Sequence, residues 1–102
     1  MQRGDWVKEL GDFGDFITMV EIHAPDEFPE EDYLSKDEQL DLARAFQELR
    51  IGLAMFKEKC RDREKVDVVE DLLNKAEAAY QAGDDVRGAR TLERMRRVAF
   101  NR

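Results

Sequence analysis

The sequence contains few of the residues on which catalytic and metal sites depend. Its 102 residues include one cysteine and one histidine, and the aliphatic hydroxyl side chains are limited to Ser35, Thr18 and Thr91. The single cysteine, Cys60, forms no internal disulfide, which fits a reducing compartment. His23 has no second histidine or cysteine at zinc-ligand spacing. We therefore expect a protein that is not an enzyme and that needs no metal or cofactor.

Long apolar runs and glycine-rich phosphate loops are also missing. The first ten residues, MQRGDWVKEL, contain no apolar signal core, which predicts no export signal. No apolar stretch approaches the length of a membrane span. Neither of the common nucleotide-binding glycine motifs occurs. We therefore expect a cytoplasmic protein without a membrane partner.

The residues that are abundant favour helices in one small domain. Charged residues make up 40% of the chain and hydrophobic residues 42%, whereas there are only two prolines and six glycines. Leu, Ala, Glu, Lys and Arg are good helix formers, and the apolar content is sufficient for a folded core. A chain of this length forms at most one domain, which we place over residues 1–102.

The net charge of −7 is unevenly distributed along the chain. Residues 1–50 contain 14 acidic and 5 basic side chains, whereas residues 51–102 contain 10 acidic and 12 basic ones. Such asymmetry either steers association with a charged partner or lets the two halves attract each other.

The first predicted helix spans residues 5–23. Its apolar residues recur at spacings of three and four, which places them on one stripe. A strand over residues 16–22 is the alternative, because that segment is rich in β-formers, but the chain offers it no second strand. Gly11 and Gly14 lie beside the stripe and predict the close approach of a neighbouring helix or a second subunit. The stripe consists of Trp6, Leu10, Phe13, Ile17 and Val20.

The second predicted helix spans residues 35–61 and follows an acidic connector, residues 24–34, that contains both prolines. Ser35 and Glu38 have the spacing of a capping box. If it is unbroken to about Arg63, this helix is roughly 43 Å long, which requires either an elongated bundle or a bend near Gly52. Its regular seam also makes a homo-oligomer plausible. The seam consists of Leu42, Phe46, Leu49, Leu53, Phe56 and Cys60.

The third and fourth helices are predicted over residues 63–82 and 85–100. Asp62 is the expected cap of the third helix, along which Val66, Val69, Leu73, Ala76 and Tyr80 form the apolar stripe. Gly83 is expected to end it, and Asp84 or Asp85 to cap the fourth. Residues 76–95 resemble a tetratricopeptide hairpin, although the turn is one residue longer and no 34-residue repeat occurs. The resemblance rests on Tyr80, Gly83, Gly88 and Leu92. The predicted fold is an all-α, up-and-down bundle of about four helices, the last two forming this hairpin.

Two segments are candidate partner-binding surfaces. The acidic connector suits a basic protein surface, with carboxylates for steering and aromatic rings for anchoring; the simpler alternative is a solvated linker. The last helix carries arginines at spacings of three and four that share one face, which suits phosphates or an acidic protein, the acidic protein ahead of nucleic acid. The simpler alternative is a solvent face paired with Asp5, Glu9 and Asp12. The candidate residues are Asp26, Glu27, Phe28, Glu30, Glu31, Asp32 and Tyr33 in the connector, and Arg87, Arg90, Arg94 and Arg97 in the helix.

Three hypotheses for function follow from these patterns. The first is a non-enzymatic interaction protein that binds a basic protein partner, such as an inhibitor, an immunity or antitoxin-like protein, or a small complex subunit. The second is binding of nucleic acid or another anionic ligand through the arginines, although the net charge of −7 repels a duplex. The third is a small metal-dependent carboxylate hydrolase that uses Glu70, Asp71 and Glu77.

Overall fold

The computed structural model describes residues 7–24, 28 and 39–100. Within these ranges the chain forms four α-helices and no strand. The predicted all-α class is therefore confirmed, and the strand alternative over residues 16–22 is wrong because these residues lie inside the first helix. The helices are α1 (Leu10–His23), α2 (Leu42–Lys59), α3 (Arg63–Gln81) and α4 (Asp85–Phe100).

The four helices close into a ring in which α1 packs on α2, α2 on α3, α3 on α4, and α4 back on α1. This is the predicted up-and-down bundle. The α3–α4 contact is the most extensive of the four, so the predicted helical hairpin is also confirmed.

The predicted apolar stripes form the core of the bundle. The described stripe residues are buried, except for Leu10, Leu42 and Cys60, which are half-buried at the edge of the core. α4 contributes its own apolar residues on the face opposite its arginines. The largest side chains in the centre of the core are Phe13, Phe46, Ile17, Leu49, Leu73, Leu92 and Met95.

The ends of α3 and α4 follow local signals in the sequence. The Asp62 carboxylate accepts the Lys65 N–H at 3.2 Å, and the Asp84 carboxylate accepts the Arg87 N–H at 3.2 Å. Gly83 takes the left-handed conformation, with φ of 82°, which a residue without a Cβ adopts most easily. The three predicted caps of the hairpin are confirmed.

α1 and α2 begin later than predicted. α1 starts at Leu10 rather than near Asp5, and the carboxylate of Asp12 accepts the N–H groups of Lys8 and Glu9, both at 3.0 Å. α2 starts at Leu42 because Asp41 is its cap, accepting the Arg44 N–H at 2.8 Å. The proposed capping box at residues 35–38 lies outside the described residues.

The later start shortens α2 to 18 residues, about 27 Å. This length fits the bundle, and the helix continues through Gly52. Gly52 is instead a notch for Phe13 of α1: a Cβ on Gly52 would overlap Phe13 Cδ1 and lie 2.6 Å from its Cγ. The position predicted as a bend is therefore a close helix–helix contact.

The two glycines of α1 differ in how closely another part of the chain approaches them. A Cβ on Gly14 would meet the ring of Phe100 at 3.4 Å, so the predicted approach of a neighbouring helix occurs there. A Cβ on Gly11 would meet nothing within 4 Å. The predicted approach of a neighbouring helix is therefore confirmed at Gly14, whereas no described residue of the chain approaches Gly11, and the alternative of a second subunit there stays a prediction.

Candidate functional site

The outer side of α4 carries the four arginines that the spacing placed together, and all four are exposed. We call Arg87, Arg90, Arg94 and Arg97 the arginine face. The amphipathic pattern of α4 orients it, because Leu92 on the opposite side is fully buried in the core. The predicted common face is therefore present as a continuous surface of the bundle.

Two of these arginines have ion-pair partners on the same stretch of chain. Arg87 Nε lies 3.6 Å from Asp84 Oδ2, and Arg97 Nη2 lies 3.0 Å from Glu93 Oε2. The alternative pairing with α1 does not occur at Asp12, whose carboxylate accepts the backbone N–H groups of Lys8 and Glu9. Glu9, the N-cap of α1, also makes no ion pair with these arginines, and Asp5 lies outside the described residues.

Arg90 and Arg94 form the unpaired centre of the arginine face. Neither makes an ion pair or a side-chain hydrogen bond with any residue that the structure describes. An exposed guanidinium carries five N–H donors in a planar fork that fits a carboxylate or a phosphate group. Among residues 7–24, 28 and 39–100, the centre of the face therefore consists of two exposed guanidinium groups without an anionic partner.

Arg94 lines two neighbouring hollows on the surface of the hairpin. The first has a volume of about 330 Å³ and lies entirely along α4. Its apolar wall is Val86, whose exposed fraction of 64% is unusual for a valine. The hollow is lined by Asp84, Val86, Arg87, Arg90, Thr91 and Arg94.

The second hollow lies between α3 and α4 and also has a volume of about 330 Å³. Leu72 and Val98 supply apolar surface, and Val68 on the α3 side is 45% exposed. The α3 rim carries Asp67 and an exposed pair in which Lys75 Nζ lies 2.9 Å from Asp71 Oδ2. This hollow is consequently apolar in the middle, acidic on the α3 side and basic on the α4 side.

The acidic connector is described at only one of its candidate residues. Phe28 is half-buried and packs against the apolar core of its own chain. It is therefore at least partly a structural residue rather than a free anchor for a partner. The remaining candidates, Asp26, Glu27, Glu30, Glu31, Asp32 and Tyr33, lie outside the described residues.

The carboxylates considered for a hydrolase do not converge on one site. Each pairs with a different cation: Glu70 with Lys57, Asp71 with Lys75, and Glu77 with Arg50. Across residues 7–24, 28 and 39–100, no group of three or more His, Cys, Asp or Glu side chains is placed to hold a metal ion. Over the same ranges, no helix has both the length and the apolar character needed to cross a membrane.

Two polar groups in the interior were not found from the sequence. Glu48 is fully buried on α2 and accepts the Val7 N–H at 3.2 Å, so it fixes the segment before α1 to α2. Arg96 donates to Glu21 at 2.9 Å and ties α4 to α1; this hydrogen bond raises the pKa of the Arg96 guanidinium above its ordinary value. The spacing of Glu48 from Ala45 and Gly52 was a usable signal, since it places Glu48 on the buried side of α2.

Tyr80 has a buried hydroxyl near the start of α4. Its side chain is 4% exposed, and the hydroxyl has no hydrogen-bond partner among the described residues. Burial is the main cause that raises the pKa of Tyr80 to about 12, and the negative charges of Asp85 and Glu21 add to it. The ring lies over Gly88, where a Cβ would approach it to 2.7 Å.

The buried Tyr80 hydroxyl predicts that the free energy of unfolding falls at alkaline pH. Because the folded-state pKa is above the unfolded value of about 10, the folded chain holds the proton more tightly. This contribution to the free energy of unfolding, about 3 kcal/mol, is fully present below pH ~10 and is lost as the pH rises to ~12. Urea unfolding of the wild type and Tyr80→Phe at pH values across this range measures the difference. A wild type that loses no more stability than Tyr80→Phe contradicts the burial of this hydroxyl.

Comparison with known proteins adds no relative: no protein-family model, curated protein or solved structure matches the chain.

Proposed function

We propose that this protein is a non-enzymatic helical interaction module whose arginine face binds an acidic segment of another protein. The observation that carries the proposal is the exposed pair of arginines at the centre of this face, Arg90 and Arg94, which have no ion-pair partner among the described residues. Inhibitors, immunity or antitoxin-like proteins and small complex subunits all act by such binding, and they are the roles that this module suits.

The surroundings of the two arginines favour an acidic protein over nucleic acid. Asp84 and Glu93 already pair with the outer arginines, so the face is not a continuous track of free cations for a phosphate backbone. The net charge of the whole chain, −7, opposes a polyanion at longer range. The exposed Val86 offers apolar contact area, which a protein partner covers more readily than a phosphate backbone does.

Reversal of charge at the centre of the face tests this proposal. The Arg90→Glu/Arg94→Glu variant should no longer recover the partner in a pull-down from the native cell, because it places carboxylates against carboxylates. The matched control is Arg61→Glu/Arg63→Glu, which makes the same change in net charge at two exposed residues at the open end of the hairpin. Extracts are treated with nuclease, and the recovered complex is sized.

The proposal expects one stoichiometric protein that wild type and control recover and the Arg90→Glu/Arg94→Glu variant does not. Recovery of the same protein by all three chains removes the arginine face from the interaction. Recovery that disappears after nuclease treatment replaces the proposal with nucleic-acid binding. A wild type that recovers nothing and runs as a monomer contradicts the proposed role.

A second candidate function is binding of a basic protein surface through the acidic connector. It is favoured by the excess of acidic over basic side chains in residues 1–50, 14 against 5. The Glu30→Gln/Glu31→Gln/Asp32→Asn variant distinguishes it, since it should lose a basic partner that Arg90→Glu/Arg94→Glu still recovers. If the connector variant recovers every partner of the wild type, this candidate is excluded.

A further inference from the structure

One row of side chains runs through the arginine face with a spacing of four residues. Val86, Arg90, Arg94 and Val98 follow one another along α4, so the row has a valine at each end and the two unpaired arginines in the middle. Rows at this spacing form the ridges that fit between the side chains of a second helix. At 1.5 Å per residue, the row is about 18 Å long, which is three turns of helix.

The apolar surface exposed on this side of the bundle lies at the two ends of that row. Among the described residues, three large apolar side chains are exposed: Ile22, Val68 and Val86. Val86 lies at the first end, and Val68 lies beside Val98 in the hollow at the second end. Ile22 is on α1 and lines neither hollow. Two of the three exposed apolar residues therefore flank the unpaired arginines.

From this arrangement we propose that the partner segment is an amphipathic acidic helix that lies along the α3–α4 hairpin. Its apolar side chains cover Val86 at one end and fill the hollow between Val68 and Val98 at the other. Its carboxylates bind Arg90 and Arg94 between those ends. The inference rests on the proposed function and adds the conformation of the partner and the roles of Val68, Val86 and Val98.

The charges on the α3 side and the α4 side of the second hollow determine which side of the partner helix carries its carboxylates. The α3 rim carries Asp67 and Asp71, so the acidic side of the partner faces α4, and its neutral or basic side faces α3. Lys75 already pairs with Asp71 and does not change this preference. Charge complementarity therefore requires a helix that is acidic along one side of its apolar row.

A second copy of this chain is less complementary in charge to this surface than an acidic helix is. Among the described residues that line the two hollows, Asp67 is the one carboxylate without an ion-pair partner, whereas Arg90 and Arg94 are both unpaired. A self-association through this face leaves one guanidinium in each copy without a counter-charge at the interface. An acidic helix supplies carboxylates for both, so it is the occupant that the charges favour.

Two synthetic peptides of identical composition test this mode of binding. The patterned peptide is a stapled helix of about 14 residues with Leu at i, i+4, i+7 and i+11 and Glu along one side. The scrambled peptide has the same residues without a common apolar side. Each is labelled, and binding to the full-length chain is measured by fluorescence anisotropy at low ionic strength. The protein variants are Val68→Ser/Val86→Ser, the matched control Ile22→Ser, and Arg90→Glu/Arg94→Glu, each checked for folding by circular dichroism.

The proposal expects the patterned peptide to bind wild type roughly tenfold more tightly than the scrambled one. Val68→Ser/Val86→Ser should bind the two peptides with equal affinity, whereas Ile22→Ser should keep the tenfold preference. Arg90→Glu/Arg94→Glu should lose binding of both peptides. Equal affinities of the two peptides, or no effect of the valine substitutions, overturn the helix-docking mode and leave acidic recognition by the arginines intact. No binding of either peptide to wild type contradicts the proposed function as well. A wild type that sizes as a dimer and becomes monomeric with Val68→Ser/Val86→Ser assigns the surface to a second copy instead.

Discussion

Gly52→Ala is expected to lower the free energy of unfolding by about 3 kcal/mol, although alanine is the better helix former. The added Cβ would overlap Phe13 Cδ1 and lie 2.6 Å from Cγ and 2.8 Å from Cε1. The Phe13 ring has no room to move away, because it is fully buried and packs edge-on against Phe100 at a centroid distance of 5.9 Å. α1 and α2 must therefore separate to accept the methyl group.

The matched control is the same substitution at Gly11. Its Cβ would meet nothing within 4 Å, so Gly11→Ala should leave stability unchanged or raise it by up to about 1 kcal/mol. Urea denaturation followed by circular dichroism measures both variants. A Gly52→Ala chain with the denaturation midpoint of the wild type shows that α1 does not pack on α2 at this residue.

Glu48→Ala is the second substitution with a large expected effect, a loss of about 3 kcal/mol. Glu48 is fully buried and accepts the Val7 N–H at 3.2 Å, and Val7 is itself fully buried. Alanine leaves that N–H without its acceptor inside the core and opens a cavity where the longer side chain was. The segment before α1 then loses its attachment to α2.

Glu48→Gln separates the hydrogen bond from the charge. The glutamine side chain has nearly the same shape and keeps an oxygen acceptor for the Val7 N–H, so we expect it to retain most of the stability. Urea unfolding gives the two free energies, and amide hydrogen exchange at Val7 reports the hydrogen bond directly. If both substitutions cost the same, the charge of Glu48 rather than its hydrogen bond to Val7 stabilises this region.

The helices could be predicted because their signals are local. A stripe such as Val66, Val69 and Leu73 needs only the neighbouring turns to be recognised, and Asp62 and Gly83 act on the backbone within a few residues. The bounds of α3 and α4 therefore agree closely with the prediction.

The starts of α1 and α2 were harder to predict because several acidic residues in each region are chemically able to cap a helix. In the structure Glu9 is the N-cap of α1, with the Asp12 carboxylate accepting its N–H, and Asp41 is the N-cap of α2. Which candidate is used depends on distant contacts, such as the one that joins Val7 to Glu48 across 41 residues of sequence.

The notch at Gly52 depends on a distant contact too. A glycine in a long helical pattern is compatible with a bend or with a close approach, and only the position of Phe13 on α1 distinguishes them. The burial of Tyr80 against Gly88 likewise needs both helices of the hairpin in place.

The arginine face was predictable as a surface and not as a binding site. The spacing from Arg87 to Arg97 places four cations together, but it does not show that the outer two have partners in Asp84 and Glu93. The valines at the ends of the central row were visible in the sequence at positions four residues from an arginine. The exposure of Val86, and the position of Val98 beside the exposed Val68, are properties of the folded bundle.

The affinity for the partner recovered from the native cell tests the role of the arginine face most directly. Its dissociation constant is measured for the wild type, Arg90→Glu/Arg94→Glu and Arg61→Glu/Arg63→Glu by titration calorimetry. We expect the first variant to weaken binding by about 100-fold or more, as for two close charge pairs lost at an interface, and the second to bind within about threefold of the wild type. Equal affinities of the two variants would show that net charge, and not the face formed by Arg90 and Arg94, governs the interaction.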